Sequence, residues 1–151
     1  MGKEIERKFL VNTEEFVAPA LGDNIKQGYL ATSPNVRVRI INDSAFLTIK
    51  GSGTLVRSEF EYKIPQNDAI EILLMCHEII IKTRYSIIFD GIKWEVDDFG
   101  SGNLLAEVEL KSENQEINLP IWVGKEVTED YRYQNSHIAK VGFPYVVLAK
   151  I

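Results

Sequence analysis

Charged residues recur at every second position along much of this chain, and neighbouring ones carry the same sign. Glu4 and Glu6, Arg37 and Arg39, Glu59 and Glu61, Lys82 and Arg84, Glu95 and Asp97, and Glu107 and Glu109 each form such a doublet. In an extended strand, residues i and i+2 point to one face, about 7 Å apart. The residues between and beside them are apolar: Ile5 and Phe9, Val36, Val38 and Ile40, Phe60 and Tyr62, Trp94 and Val96, Val108 and Leu110. A sheet built from such strands has one charged face and one hydrocarbon face. A half-solvated sheet satisfies that pattern for a single strand. Repetition of like-charged doublets over six strands does not look like an ordinary wet surface, where Thr, Ser, Lys and Glu mix.

Period-2 alternation with β-branched and aromatic content predicts eight strands near residues 3–11, 25–31, 36–42, 45–51, 56–64, 81–89, 92–98 and 104–111. Asn42-Asp43-Ser44 and Asp90-Gly91 supply hairpin turns, and Gly51-Ser52-Gly53 and Gly100-Ser101-Gly102-Asn103 looser ones. Helices are expected from Asn12 or Thr13 through Val17, ended by Pro19, and from Asn67 or Asp68, with Ile70, Leu73, Leu74 and His77 on one face. A third is expected from about Asp130 to Val141, ended by Gly142 and Pro144, and one further turn over Pro120 to Lys125. The fold class is α+β, mainly β. Eight antiparallel strands can close into a barrel, which removes their edges.

If the charged face points inward, the lumen of the closed barrel holds eight acids and at least six bases. An eight-stranded barrel is just wide enough inside for side chains or one small ligand. Two carboxylates about 4 Å apart repel by about 4 kcal/mol at an effective dielectric of 20. Such clusters persist only with counter-charges from facing strands or from ligands. Carboxylate oxygens select hard divalent cations such as Mg²⁺ or Mn²⁺, whereas Arg and Lys select phosphate or carboxylate oxygens. Both sets in one cavity point to a polyphosphate with its metal.

Composition adds bounds. The 151 residues suffice for one domain with a real core, and the net charge of −5 argues against nucleic acid and anionic membranes as partners. No apolar run is long enough to span a membrane as a helix, and Met1-Gly2-Lys3-Glu4 opens directly into the alternation, as in a chain without a signal peptide. Cys76 is a lone cysteine in an apolar stretch, expected to be a buried structural thiol in a cytoplasmic protein. His77 and His137 are expected to pack or face solvent, Trp94 and Trp122 to anchor the core, and Arg7 to pair at a surface or helix contact.

The sequence resembles the CYTH superfamily, the triphosphate tunnel metalloenzymes, and most closely its short bacterial inorganic triphosphatases. The resemblance rests on Glu4-Ile5-Glu6-Arg7-Lys8-Phe9-Leu10-Val11, then Gln27-Gly28-Tyr29-Leu30, Val36-Arg37-Val38-Arg39, Thr48-Ile49-Lys50 and Glu59-Phe60-Glu61-Tyr62. It continues through Lys82-Thr83-Arg84-Tyr85, Trp94-Glu95-Val96-Asp97, Glu107-Val108-Glu109 and Gly124-Lys125-Glu126-Val127-Thr128. It implies one tunnel domain over residues 1–151 that hydrolyses a triphosphate, tripolyphosphate first. The alternatives are a class IV adenylate cyclase, a nucleoside or thiamine triphosphatase, and a non-catalytic polyphosphate-binding module. By the same resemblance Glu4, Glu6, Glu107 and Glu109 are metal ligands, with Glu59, Glu61 or Asp97 serving a second ion. Lys8, Arg37, Arg39, Lys50, Lys82 and Arg84 hold phosphate, with Arg57 beside them on the charged face, and Lys8 paired with Tyr29 is a candidate base. The helix near Asp130 to Lys140 is expected to plug one mouth, with Tyr131 or Arg132 near the ligand. The apolar stretch Phe143 to Ile151 is expected to pack on the body or on the second subunit of a homodimer.

Overall fold

A computed structural model describes residues 2–144. Nine strands and two α-helices follow one another as β1 (Lys3–Val11), β2 (Asp23–Thr32), β3 (Asn35–Ile41), β4 (Ser44–Lys50), β5 (Val56–Ile64), α1 (Gln66–Leu74), β6 (Glu78–Phe89), β7 (Ile92–Asp98), β8 (Leu104–Glu109), β9 (Val123–Glu126) and α2 (Asn135–Val141). A short 3₁₀ turn, Tyr131–Tyr133, precedes α2. The strands run antiparallel in the order β5-β4-β3-β2-β6-β7-β8-β1, and β1 returns to pair with β5. Eight strands thus close a barrel, and β9 lies outside it along the second half of β1. The turns follow from their residues: Asn42, Asp90 and Gly91 all take positive φ in two-residue hairpins.

The hydrocarbon core lies mostly outside the barrel wall. Phe9, Trp94, Val96, Ala106, Val108 and Leu110 form one buried cluster on the outer face of β1, β7 and β8, covered by Phe16, Ile117 and Trp122. Val38 and Ala45 form a second with Ala69, Leu73 and Cys76 of α1 and the turn after it. A third cluster, with Tyr29, Ile80, Leu105, Val127, Tyr133 and Ile138, closes one end of the barrel beneath α2. Gly28 marks where α1 rides on β2. A Cβ there would lie 2.8 Å from Cys76 Cβ and 3.0 Å from Leu73 Cδ2, so no larger residue leaves the helix in place.

Several local expectations are corrected. Residues 13–17 form no helix; Asn12 Oδ1 accepts from the Glu14 backbone N–H at 3.2 Å, closing a turn of the kind Asn favours. The helix expected to be capped by Asn67 or Asp68 starts at Gln66, after Pro65, with no side-chain cap bond. It buries Ala69 and Leu73 and leaves Ile70 and Leu74 outside, because the side turned to the wall is the one that sets Leu73 against Gly28. The turn expected over Pro120 to Lys125 is present in its first residues, where Val123 N donates to the Pro120 carbonyl at 3.0 Å, but from Val123 the chain is the strand β9 beside β1, with Arg7 Nη2 and Nε donating to Glu126 at 2.7 and 2.9 Å. The C-terminal helix is broken: Gln134 is extended (φ −72°, ψ 138°), separating the 3₁₀ turn from α2, which ends at Gly142 with φ 91°. Residues 145–151 of the stretch expected to meet the body or a second subunit lie outside the described residues.

Candidate functional site

The alternation places the charges inside. A cavity of about 210 Å³ in the barrel is lined by Glu4, Glu6, Lys8, Arg37, Arg39, Lys50, Arg57, Glu59, Glu61, Lys82, Arg84, Glu95, Glu107 and Glu109, together with Tyr29. Of the candidate metal ligands, phosphate-binding cations and the Lys8–Tyr29 pair, all but one are therefore brought together. The exception is Asp97, which sits behind the lining at 1% exposure. It accepts from Lys82 Nζ at 2.6 Å and from Arg84 Nε and Nη2 at 2.7 and 2.9 Å. Burial alone would raise its pKa, but Lys82 and Arg84 outweigh burial and hold the carboxyl far below its ordinary value. An acid so fully engaged serves to fix two cations and has no free oxygen edge for a metal.

Most of the remaining charges are paired across strands. Glu4 meets Lys50 at 3.1 Å and Arg57 at 3.2 Å, Lys8 meets Glu107 at 3.4 Å, and Arg37 meets Glu61 at 3.6 Å. Arg84 also reaches Glu95 and Glu107, and Lys50 reaches Glu59. Among the described residues, three lining charges have no opposite charge within 4.0 Å: Arg39, Glu6 and Glu109. Arg39 has only a neutral partner, donating from Nε to Gln27 Oε1 at 2.8 Å. Burial and then the neighbouring Arg37 and Arg84 press its pKa down to about 9, which still leaves it a cation at neutral pH. Glu6 and Glu109 are direct cross-strand partners on β1 and β8. Burial, then Glu107 and Glu4, push the Glu6 carboxyl up to about 8, and Glu109 is raised by burial and by Glu4, Glu59 and Glu95. The cavity therefore holds an unanswered cation on β3 and two unanswered acids on β1 and β8, strands that the closed order sets across the barrel from β3. Arg37 adds a buried Nε with no protein acceptor.

Lys8 and Tyr29 both line the cavity, but they do not bond to each other. Lys8 Nζ donates to the Tyr133 carbonyl at 3.1 Å, and the Tyr29 hydroxyl accepts from Gln27 Nε2 at 2.9 Å. Burial raises the Tyr29 pKa, so its phenol stays neutral. Tyr131 and Arg132 do not reach the lining; Arg132 turns back to Asp130 at 2.6 Å, outside the barrel. Gln134, Asn135 and Ser136 at the start of α2 line it instead. Gln27 and Asn135 were missed from the sequence. Gln27 shares a strand face with Tyr29 and was legible by the same i, i+2 rule, whereas nothing local marks Asn135, which the break at Gln134 delivers from elsewhere.

The CYTH domain model matches residues 2–141 of this chain. The chain belongs to the CYTH family. Among CYTH relatives, the inorganic triphosphatase of Acetivibrio thermocellus is 45% identical over 148 residues, covering 93% of this chain and 95% of that protein. The inorganic triphosphatase of Nitrosomonas europaea is 40% identical over 151 residues, covering 90% and 96%. The crystal structure of the inorganic triphosphatase NE1496 superimposes with a TM-score of 0.66 at 35% identity, over 92% of this chain and 95% of that one. The PH1012 protein from Pyrococcus horikoshii, at 20% identity and a TM-score of 0.56, shares the CYTH fold over 74% and 80% of the two chains.

A divalent ion fits the donor set of this CYTH barrel. Glu6 and Glu109 are oxygen donors short of positive charge, and a raised carboxyl pKa is what a metal reverses when it replaces the proton. Among the described residues no three acidic, imidazole or thiol groups already converge on one point. Glu4 and Glu107 are turned to Lys50, Arg57, Lys8 and Arg84, so a metal would compete with those cations for them. No helix among the described residues is long and apolar enough to cross a membrane.

Proposed function

We propose that this chain hydrolyses inorganic tripolyphosphate, with Mg²⁺ or Mn²⁺, in the charged cavity of the barrel. One observation carries the reading: among the described residues the cavity leaves a cation, Arg39 on β3, without an acid partner, and two acids, Glu6 on β1 and Glu109 on β8, without a base. A polyphosphate chain answers the first and its metal answers the second. Arg39, Arg37, Lys82, Arg84, Lys8, Lys50 and Arg57 hold the phosphate oxygens and balance charge on the transferring phosphoryl group. Glu6 and Glu109, with Glu4 and Glu107 drawn from their cations, hold one or two ions, and Glu59 and Glu61 line the same cavity from β5 as candidates for a second. A bound divalent ion supplies charge neutralisation on phosphate oxygens and acidifies water. The reaction breaks one phosphoanhydride bond with one water and yields pyrophosphate and orthophosphate.

The kinship with relatives called inorganic triphosphatase supports this substrate over nucleotides. So does the lining, in which Tyr29 is the one aromatic ring, with no apolar slot for a base. The 151 residues act as one tunnel unit, and the lone reduced Cys76 fits a cytoplasmic setting. The deciding assay measures phosphate release from tripolyphosphate, ATP and thiamine triphosphate side by side, each with Mg²⁺ and with Mn²⁺. Tripolyphosphate is expected to be fastest, and only with metal. Turnover of ATP to cyclic AMP and pyrophosphate, or tight binding with no turnover of any of the three, overturns the reading.

A further inference from the structure

In the cavity wall, two neutral amides join two of the lining cations, Arg39 and Lys82. Asn135 Oδ1 accepts from Lys82 Nζ at 2.6 Å and from Gln27 Nε2 at 3.2 Å. Gln27 in turn accepts from Arg39 Nε through Oε1 at 2.8 Å and donates through Nε2 to the Tyr29 hydroxyl at 2.9 Å. The direction of this chain is not a matter of choice. Lys and Arg have donors and no acceptor. Arg39 therefore demands the oxygen of Gln27, and Lys82 demands the oxygen of Asn135. With both ends fixed, the Gln27 nitrogen must face Asn135 and Tyr29, as it does. A carboxylate at either position would neutralise the cation it orients, and an apolar residue would release it.

The setting is costly enough to need a use. Gln27 is fully buried, with 0% of its surface exposed, and a buried amide is expensive unless fully bonded. Arg39 has no acid partner, so Gln27 is the one side chain that orients it. Asn135 comes from α2, which touches β6 and β2. The bond from Lys82 thereby ties the ammonium to the C-terminal helix as well as to Asp97.

We propose that Gln27 and Asn135 are positioning residues that hold Arg39 and Lys82 at the spacing needed for the phosphate chain, making the seat of α2 part of the substrate site. The inference rests on the tripolyphosphate reading above. It separates these residues from a purely structural tie, because a tie that only holds α2 down would alter stability and leave substrate affinity alone.

The test is a double-mutant cycle on steady-state tripolyphosphate hydrolysis, with circular dichroism to verify the fold. Asn135→Ala is expected to raise KM about tenfold with kcat within about twofold, and to change KM by less than about twofold in a Lys82→Ala background. Gln27→Ala is expected to behave likewise against Arg39→Ala. If Gln27→Ala fails to fold, the partly exposed Asn135 decides alone. A KM at the wild-type value in Asn135→Ala, or equal effects in the two backgrounds, overturns the proposal. A wild-type protein that does not turn over tripolyphosphate overturns the reading beneath it as well, so the two failures are distinct.

Discussion

Glu6 and Glu109 stand directly opposite each other on β1 and β8, and among the described residues neither has a basic group within 4.0 Å. Like charges placed directly across a strand pair oppose each other. The protein accepts this repulsion at the centre of its own cavity while pairing nearly every other lining charge. A site that binds a divalent ion has a reason to do so, since relief of the repulsion adds to the affinity for the ion.

The Glu6 carboxyl, raised to about 8 by burial and by Glu107 and Glu4, makes metal-free stability depend on pH. An acid whose folded pKa lies above its unfolded one binds more protons when folded, so stability falls as pH rises between the two values. The window runs from about 4.3, the unperturbed Glu value, up to about 8. In metal-free buffer the thermal midpoint is expected to fall across that window, and Glu6→Gln is expected to flatten much of the fall. Mn²⁺ or Mg²⁺ added at the alkaline end should restore the wild-type midpoint and leave the variant's nearly unmoved. Equal slopes for the two proteins would show that Glu6 is not the group concerned.

Arg39→Ala removes a cation that has no acid partner, so it leaves no buried counter-charge stranded. Its effect should fall mainly on substrate. Loss of a charge-assisted hydrogen bond is worth about 1.5–3 kcal/mol, or roughly 10- to 150-fold in affinity. Isothermal titration with tripolyphosphate should read that loss, with the thermal midpoint lowered by no more than about 1–3 kcal/mol accounts for, the cost of leaving the buried Gln27 Oε1 without its donor. A large drop in midpoint would instead assign Arg39 to the scaffold.

Asp97→Asn should do the opposite. The carboxylate binds Lys82 and Arg84 together, and breaking a buried pair from one side costs about 3–5 kcal/mol. Because the folded-state pKa is depressed, this contribution is present above about 3.9, the unperturbed Asp value, and is lost as pH falls further. Urea midpoints of the two proteins should differ widely at neutral pH and draw together in acid. If Asp97 were a metal ligand, the gap would instead depend on added metal.

Tyr29→Phe tests whether Tyr29 takes part with Lys8, the candidate base, in proton transfer. Burial keeps the Tyr29 phenol neutral, and Gln27, not Lys8, is its partner. The variant should keep the wild-type pH–rate profile and lose no more than about tenfold in kcat, well below the 10²- to 10⁴-fold that a general base contributes. A profile that loses its alkaline limb would return Tyr29 to the proton-transfer step.

The sequence carried the barrel because charge alternation is a strand property that needs no tertiary information. Arg37 and Arg39, or Glu107 and Glu109, point one way wherever their strand lies, and the closure of eight strands turns that way inward. What it did not carry were features decided between distant segments. Asp97 has the same alternation signal as Glu95, yet three bonds from Lys82 and Arg84 withdraw it from the lining. Residues 120–125 read as one turn because the four residues of β9 give no period to detect; pairing with the distant β1 makes 123–126 a strand. Ile70 and Leu74 looked like the buried face of α1, yet the helix turns Ala69 and Leu73 to the wall, with Leu73 and Cys76 against Gly28, a contact between distant segments.

β1 has three neighbours along its length. Its first residues, Lys3–Ile5, meet β5; the stretch from Glu6 to Leu10 meets β8; and Phe9 and Val11 meet β9. The hoop is thus lapped over a mere three residue pairs at one joint, whereas the stave bearing Glu6 and Lys8 is clasped on both margins further along. Thermal breathing should part the joint first, and amide exchange should be quickest near Lys3 and slowest toward Lys8. Glu4 lies at that looser joint and Lys8 on the firmer stretch, so the links of Glu4 to Lys50 and Arg57 are expected to loosen before the link of Lys8 to Glu107.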